Sequence, residues 1–233
     1  DFSCPIWLDF SVLDSSCLPI LPFNKSHTRA IKRVGPHCQD ILSIIFGSLL
    51  GDAFAELRNG ATRICFQQES SHREYLLWLH RKIADLGYCN PDVPEVASRP
   101  GSSGKTRFLS RFKTWSFTSF TWIHSVFYVN GVKIVPKCIE LYLTPLALAI
   151  WIQDDGGAVS TTMKIATNSF TLSDIQFLCD VLDRLYNIKA TPMSAGYPGQ
   201  YCIYIKAESM QLIADICKPH THPSMYYKFN GYM

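Results

Sequence analysis

Two stretches of the chain share one pattern of apolar positions ending in an acid. In the first, Ile41, Ile45, Ser48 and Asp52 recur at i, i+4, i+7 and i+11, which predicts a helix from about His37 to Ala55 with the carboxylate at the foot of one face. In the second, Thr144 as N-cap and Pro145 in the first turn open a helix that runs through LALAIWIQDD to Asp155. The two acids stand 103 positions apart. A carboxylate at a helix C-terminus meets the negative end of the macrodipole, so a cation is expected nearby. Gly47, Ser48 and Gly51 give the first helix a face that another backbone can approach closely. The second helix carries the bulkier Ile150 and Trp151 at the places of Gly47 and Ser48, which predicts an asymmetric contact. If the helices pack side by side, both carboxylates meet at one end, and an oxygen cluster of that kind suits hard divalent cations.

The intervening segments alternate in period. From Thr62 to Gln68, Ile64 and Phe66 alternate with Arg63, Cys65 and Gln67, the pattern of a strand buried on one face. A helix from about His72 to Leu86 follows, ended by Gly87. Beyond the Pro, Gly and Ser-rich stretch from Ser98 to Gly104, the segment Thr106 to Thr121 reads as strands, with Arg107, Arg111 and Lys113 on one parity and therefore one basic face. In the second copy a strand is expected around Met163 to Thr167, a helix from Leu172 to Tyr186 capped by Thr171 or Ser173, strands at Ala190 to Met193 and Tyr201 to Lys206, and a helix from about Glu208 to Cys217. Trp115, Phe117, Phe120 and Trp122 read as core and sheet packing rather than as a base-stacking surface. The order helix, strands, helix, strands, helix thus occurs twice. It predicts an α+β fold of two pseudo-symmetric αββαββα halves, residues 37–130 and 144–233, joined by 131–143. Residues 1–36, with Pro5, Pro19, Pro22 and Pro36, read as an extended arm laid over the body.

Composition narrows the class. With 233 residues, 47% hydrophobic, the chain can bury one large core or two small ones. No apolar run reaches the roughly 18 residues of a membrane span. A net charge of +3 is too mild to announce nucleic-acid binding, which must come from local patterning. Nine cysteines, an odd number without a CxxC pair, fit reduced thiols. Cys217, His220 and His222 lack a fourth ligand, and their spacing fits no common zinc finger. No signal or transit peptide is expected in residues 1–36.

GSLLGDA at 47–53 and LTPLALAIWIQDDGG at 143–157 resemble the two motif copies of the LAGLIDADG homing endonucleases, in the two-motif, single-chain form of organellar introns. GVKIVP at 131–136, NSFTLSDIQFL at 168–178 and HPSMYYK at 222–228 extend the resemblance over nearly the whole chain from about Phe23. It implies a saddle of two antiparallel sheets astride duplex DNA, with the motif helices at the central interface, and a monomeric, site-specific double-strand endonuclease. The implied metal ligands are Asp52, Asp155 and the carbonyls of Gly51 and Asp154. Mg2+ is the implied cofactor, with Mn2+ a substitute and Ca2+ a support for binding without cleavage. Lys133 and Lys228 match the active-site lysines, 81 and 73 residues after their acids. Gln67 and Asn168 stand where the family often has polar residues that order water. Candidate DNA contacts on the wet strand faces are Arg58, Arg63, Gln67, Arg107, Arg111 and Lys113 in the first half, and Lys164, Asn168, Tyr204 and Lys206 in the second. Unlike halves imply a non-palindromic target. The alternatives are an RNA-splicing maturase of the same fold, with its own intron RNA as partner, and a repressor that binds DNA without cutting it. A mitochondrial or chloroplast location is implied, with no membrane partner.

Overall fold

The computed structural model describes residues 26–33, 35–100, 106–167 and 169–233, so that Asn168 and most of the N-terminal arm lie outside the described residues. In chain order the elements are α1 (Gln39–Leu50), β1 (Phe54–Arg58), β2 (Ala61–Glu69), α2 (Arg73–Asp85), β3 (Val96–Pro100), β4 (Thr106–Lys113), α3 (Thr121–Phe127), β5 (Tyr128–Val129), β6 (Val132–Lys133), α4 (Ile139–Tyr142), α5 (Pro145–Asp155), β7 (Gly156–Val159), β8 (Thr162–Ala166), α6 (Leu172–Tyr186), β9 (Ala190–Ser194), β10 (Tyr201–Ile205) and α7 (Met210–Cys217). Two four-stranded antiparallel sheets have the same strand order, β1-β2-β4-β3 and β7-β8-β10-β9, as a duplicated half requires.

Three local expectations change. The first motif helix ends at Leu50 rather than running to Ala55, because Gly51 leaves the helical region at φ −99, ψ −133. Asp52 therefore sits in the turn beyond α1, while Asp155 is the last residue of α5. Each acid is followed almost at once by a strand, β1 or β7, that the apolar pattern did not announce. The strand expected to reach Thr121 stops at Lys113. Phe117 and Phe120 turn into the core on a 3-10 turn that leads into α3, where Trp122 is partly exposed.

α1 and α5 hold the halves together. Thr144 caps α5 by accepting from the Ala147 amide at 3.2 Å, and its hydroxyl donates to Ser43 Oγ of α1 at 2.8 Å. Farther along, Gly47 lies against Ala147, and Gly51 lies against Asp154. Contacts that advance in the same direction on both helices mean that α1 and α5 run parallel and bring their C-terminal ends together. The asymmetry read from Gly47 and Ser48 opposite Ile150 and Trp151 is accommodated without separation, since Ser48, Ile150 and Trp151 are all fully buried. Beneath the first sheet, α2 buries Tyr75, Leu76, Leu79 and Ile83; beneath the second, α6 buries Ile175, Leu178, Val181 and Leu182. Among the described residues Cys38, Cys65, Cys89, Cys179, Cys202 and Cys217 are free thiols.

The described part of the arm lies on the first half. Arg33 stacks on Trp115 with its guanidinium 5.2 Å from the ring centroid. His37 places Nε2 2.8 Å from Ser119 Oγ and Nδ1 3.0 Å from Tyr88 Oη, among Phe117 and Phe120.

A Cβ at Gly47 would lie 2.3 Å from the carbonyl oxygen of Ala147, a backbone atom that cannot swing away. Gly47→Ala should therefore separate the helices and destabilise the protein by about 1–3 kcal/mol or more, which a denaturant titration would read. A second expectation concerns acid. Burial pushes the His37 imidazole down to about 4, against about 6.5 in an unfolded chain. Between those two values the unfolded chain takes up a proton that the folded chain refuses, so stability falls as pH drops through the window. The difference between melting temperatures at neutral pH and at the acid end of that window should be smaller in His37→Gln than in the wild type.

Candidate active site

The paired helix ends gather one lysine from each half. In the first, Asn130 and Gly131 both adopt positive φ, +51 and +78, the tight-turn geometry that an Asn-Gly pair favours, and close the β5–β6 hairpin. The Ala55 amide donates to Tyr128 Oη at 3.1 Å and pins that hairpin to β1. Lys133 Nζ then donates to the carbonyls of Gly51 at 3.2 Å and Ala53 at 2.8 Å. In the second half, buried Gln153 donates to the Ala149 and His220 carbonyls at 3.0 and 3.2 Å and accepts from the His222 amide at 2.7 Å. This fixes the 3-10 segment Pro223–Phe229, from which Lys228 Nζ donates to the carbonyls of Gln153 and, at 2.9 Å, Asp154. Each lysine thus caps the negative end of its own motif helix, which is the cation expected from the dipole argument.

The polar side chain that reaches the first acid is Gln68, not Gln67. On β2 the residues Ile64, Phe66 and Gln68 share the helix-facing side, and Gln67 points outward opposite Arg111 of β4. A shift of one residue along a strand exchanges faces, and this corrects the assignment of Gln67 to the site. Gln68 Nε2 donates to Asp52 Oδ2 at 2.8 Å and to Asp154 Oδ1 at 3.0 Å, and Tyr75 Oη donates to the same Asp154 oxygen at 2.9 Å. Gln68, Tyr75 and the side chain of Asp154 were missed in the sequence. The available signal was a polar residue at the buried parity of β2. Asn168, expected as the counterpart of Gln67, lies outside the described residues.

Three carboxyl groups and two ammonium groups share this centre, and desolvation acts on all of them. Burial, then the charge of Asp52, pushes Asp155 up to about 7 against the opposing pull of Lys228 and Lys133. Burial also raises Asp52, although it still reaches solvent and is opposed by the Gln68 hydrogen bond and both lysines. Solvent still touches Asp154, yet protein crowds its carboxyl closely enough that desolvation and its two acidic neighbours push it well above the carboxylate range. Lys133 is lowered to about 8 by burial, and Lys228 is lowered for the same reason. Among the described residues no three His, Cys, Asp or Glu side chains form a closed metal cage. The donor set fits instead an open, hard-cation site: Asp52, Asp155 and the carbonyls of Gly51 and Asp154, with the shell completed by water or phosphate oxygens as Mg2+ favours. Those two carbonyls already accept from the lysines, and their second lone pairs remain for a cation.

Outside this centre the two sheets differ. The outer face of the first carries Arg58, Arg63, Gln67, Arg111 and Lys113 in register, with Cys65 opposite Lys113 and Gln67 opposite Arg111. Arg63 is locked to Glu56 at 2.5 Å, while the exposed Arg107 pairs more loosely with Glu69 at 3.3 Å. On the second sheet the cross-strand row Gly157, Lys164, Tyr204 and Thr191 supplies one cation. Lys206 lies past the end of β10, at the start of a 3-10 turn, and not on the sheet.

Two like halves, each giving one helix, one acid and one lysine to a shared centre between two antiparallel sheets, define a two-motif single-chain protein of the homing-endonuclease fold. Residues 42–213 match the LAGLIDADG DNA endonuclease family, and the chain belongs to it. It is 46% identical over 200 residues to cytochrome b mRNA maturase bI2 of Debaryomyces hansenii, covering 85% of this chain and 76% of that protein. The protein of the same name from Saccharomyces cerevisiae is 44% identical over 209 residues, 86% of this chain but only 49% of its own length, so the chain spans about half of that relative. Intron-encoded endonuclease ai4 of Dictyostelium discoideum is 37% identical over 61% of this chain and 92% of its own. The structure of the homing endonuclease I-WcaI bound to its DNA recognition sequence superposes with a TM-score of 0.76 at 22% identity, over 85% of this chain and 89% of that one, which shows the shared fold. Among the described residues no helix is long and apolar enough to cross a membrane.

If the outer faces meet duplex DNA, their cations should differ in weight. Arg111→Gln or Lys113→Gln should each lower the slope of log K against log salt by about 1. Arg63→Gln should lower it by less, because Glu56 already neutralises that guanidinium. Equal slopes for all three variants and the wild type would place these residues away from phosphate.

Proposed function

We propose that this chain is a monomeric, site-specific double-strand DNA endonuclease of the intron-homing kind, dependent on Mg2+ and acting at a long non-palindromic target. The observation that supports this reading is the convergence of Asp52 and Asp155, one from each half, with a lysine bonded at each helix end. Asp52, Asp155 and the Gly51 and Asp154 carbonyls would hold the cation. When bound, it would place positive charge on the phosphoryl oxygens and ease deprotonation of the attacking water. Lys133 and Lys228, fixed by the backbone on either side of the acids, hold positive charge where the phosphate gains negative charge in the transition state. Gln68 keeps the Asp52 carboxylate turned inward. The unlike sheet faces favour a target whose two halves differ, and an organelle-encoded origin follows the intron resemblance.

A second reading, an RNA-splicing maturase, is favoured by the two relatives of 46% and 44% identity that carry that name. The two activities can reside in one chain, and one experiment separates them. The protein is incubated with Mg2+ and either a duplex of its intron-less insertion locus or its own intron RNA. Cleavage of both strands, abolished by EDTA and by Asp52→Asn or Asp155→Asn while DNA binding persists, is the expected outcome. Splicing with intact DNA would favour the maturase, and DNA binding with neither activity a repressor. Full cleavage by either Asn variant would remove the two acids from the chemistry.

A further inference from the structure

We propose that Asp154 is a positioning residue: reaching out of the second half, its carboxyl group holds Gln68 and through it sets the orientation of Asp52 in the first. The proposal deepens the nuclease reading and rests on it for its functional consequence. Both partners of the Asp154 side chain belong to the first half, Tyr75 on α2 and Gln68 on β2, at 2.9 and 3.0 Å to one oxygen. The same Gln68 nitrogen donates to Asp52 Oδ2 at 2.8 Å, so its two hydrogens are shared between two carboxyl groups. The amide oxygen faces His72 Nδ1 at 3.4 Å, and His72 Nε2 lies 3.1 Å from Tyr227 Oη, again from the second half. Gln68 is thus held at both ends, and removing Asp154 leaves one of its amide hydrogens without an acceptor, which loosens the orientation it presents to Asp52.

The motif position before each acid makes room for this. A Cβ at Gly51 would lie 2.6 Å from Asp154 Cβ and 2.8 Å from Asp154 Oδ2, so the absent side chain in the first copy accommodates the carboxyl of the second. The arrangement is one-sided. Phe54 and Gly157, each two residues past its acid, pair with Cys65 and Lys164, which makes Thr167 the counterpart of Gln68. Thr167 Oγ1 donates to the Tyr201 carbonyl at 2.9 Å, and no described side chain hydrogen-bonds Asp155. Among the described residues, only Asp52 of the two acids is steered from the opposite half.

The test combines metal dependence with direct observation of Asp52. In the Mg2+ titration of cleavage, Asp154→Ala and Gln68→Ala should each raise the half-saturating concentration about 10-fold or more, the scale on which metal sites respond to loss of an outer partner. Asp154→Asn, which keeps the accepting oxygen, should recover most of that loss. The double variant Asp154→Ala/Gln68→Ala should be no worse than Gln68→Ala. If Asp154→Asn is as impaired as Asp154→Ala, or if the two losses multiply in the double variant, Asp154 acts by charge or packing and the proposal is overturned. Crystal structures of the wild type, Asp154→Ala and the milder Tyr75→Phe supply a readout without catalysis. The Asp52 carboxylate should leave the position facing Gln68 in Asp154→Ala, and an unmoved Asp52 overturns the proposal. A wild type that cuts no target would end the nuclease reading, while the position of Asp52 would still decide this one.

Discussion

Two helices that run parallel and touch at glycine must bring their negative ends together, and the polar groups of the molecule are arranged around that constraint. α1 and α5 meet where Gly47 faces the Ala147 backbone and Gly51 faces Asp154. At that end lie the last carbonyls of both helices together with Asp52, Asp154 and Asp155. Left alone, such a gathering of negative charge in a partly desolvated place would repel itself. The chain answers with two lysines drawn from distant segments, a hairpin in the first half and a 3-10 segment in the second, each bonded to the carbonyls of its own helix end. Two ammonium groups do not balance three carboxyl groups and two dipoles. Burial raises both Asp155 and Asp52, the charge of Asp52 adds to the rise at Asp155, and a divalent cation is the chemistry that would hold both carboxylates in their charged form.

Long-period features were legible in the sequence. The motif helices, α2 and α6, and the basic parity of β4 all follow from apolar spacing and caps, and the capping box of Thr171 with Asp174 is present where Thr171 or Ser173 was expected. Short elements were not. β1 and β7 begin within two residues of their acids, and β7 is built of Gly156, Gly157, Ala158 and Val159, which carry almost no alternation to read. The aromatic run from Trp115 to Trp122 has strand-like composition, yet burial of Phe117 and Phe120 beside His37 draws it into a turn and a helix. Tertiary packing outweighs local propensity there.

Within the candidate site, the acids and lysines were singled out through repeated spacing and resemblance, whereas Gln68 required knowing which face of β2 meets the helices. The alternation of Ile64 and Phe66 contained that information, since position 68 continues their parity. Asp154 was legible only as a backbone carbonyl. Its side chain finds its role across the interface, with Tyr75 and Gln68, and no local pattern encodes a contact between residues 79 and 86 positions apart.

The duplication is faithful in topology and unfaithful in chemistry. Strand order repeats, but the outer face of the first sheet presents several cations and that of the second chiefly Lys164 among Gly157, Thr191 and Tyr204. The first acid is held by an amide that both halves constrain, and no described side chain hydrogen-bonds the second. Symmetric dimers cannot differ in this way, because one sequence must serve both positions. A single chain is released from that requirement, so one half can carry more of the phosphate contact while the other is left to neutral groups. The same release permits Gly51 to face Asp154: a carboxyl at both places would clash, glycine at both would leave Gln68 without its second anchor, and only unlike copies allow one half to position the acid of the other.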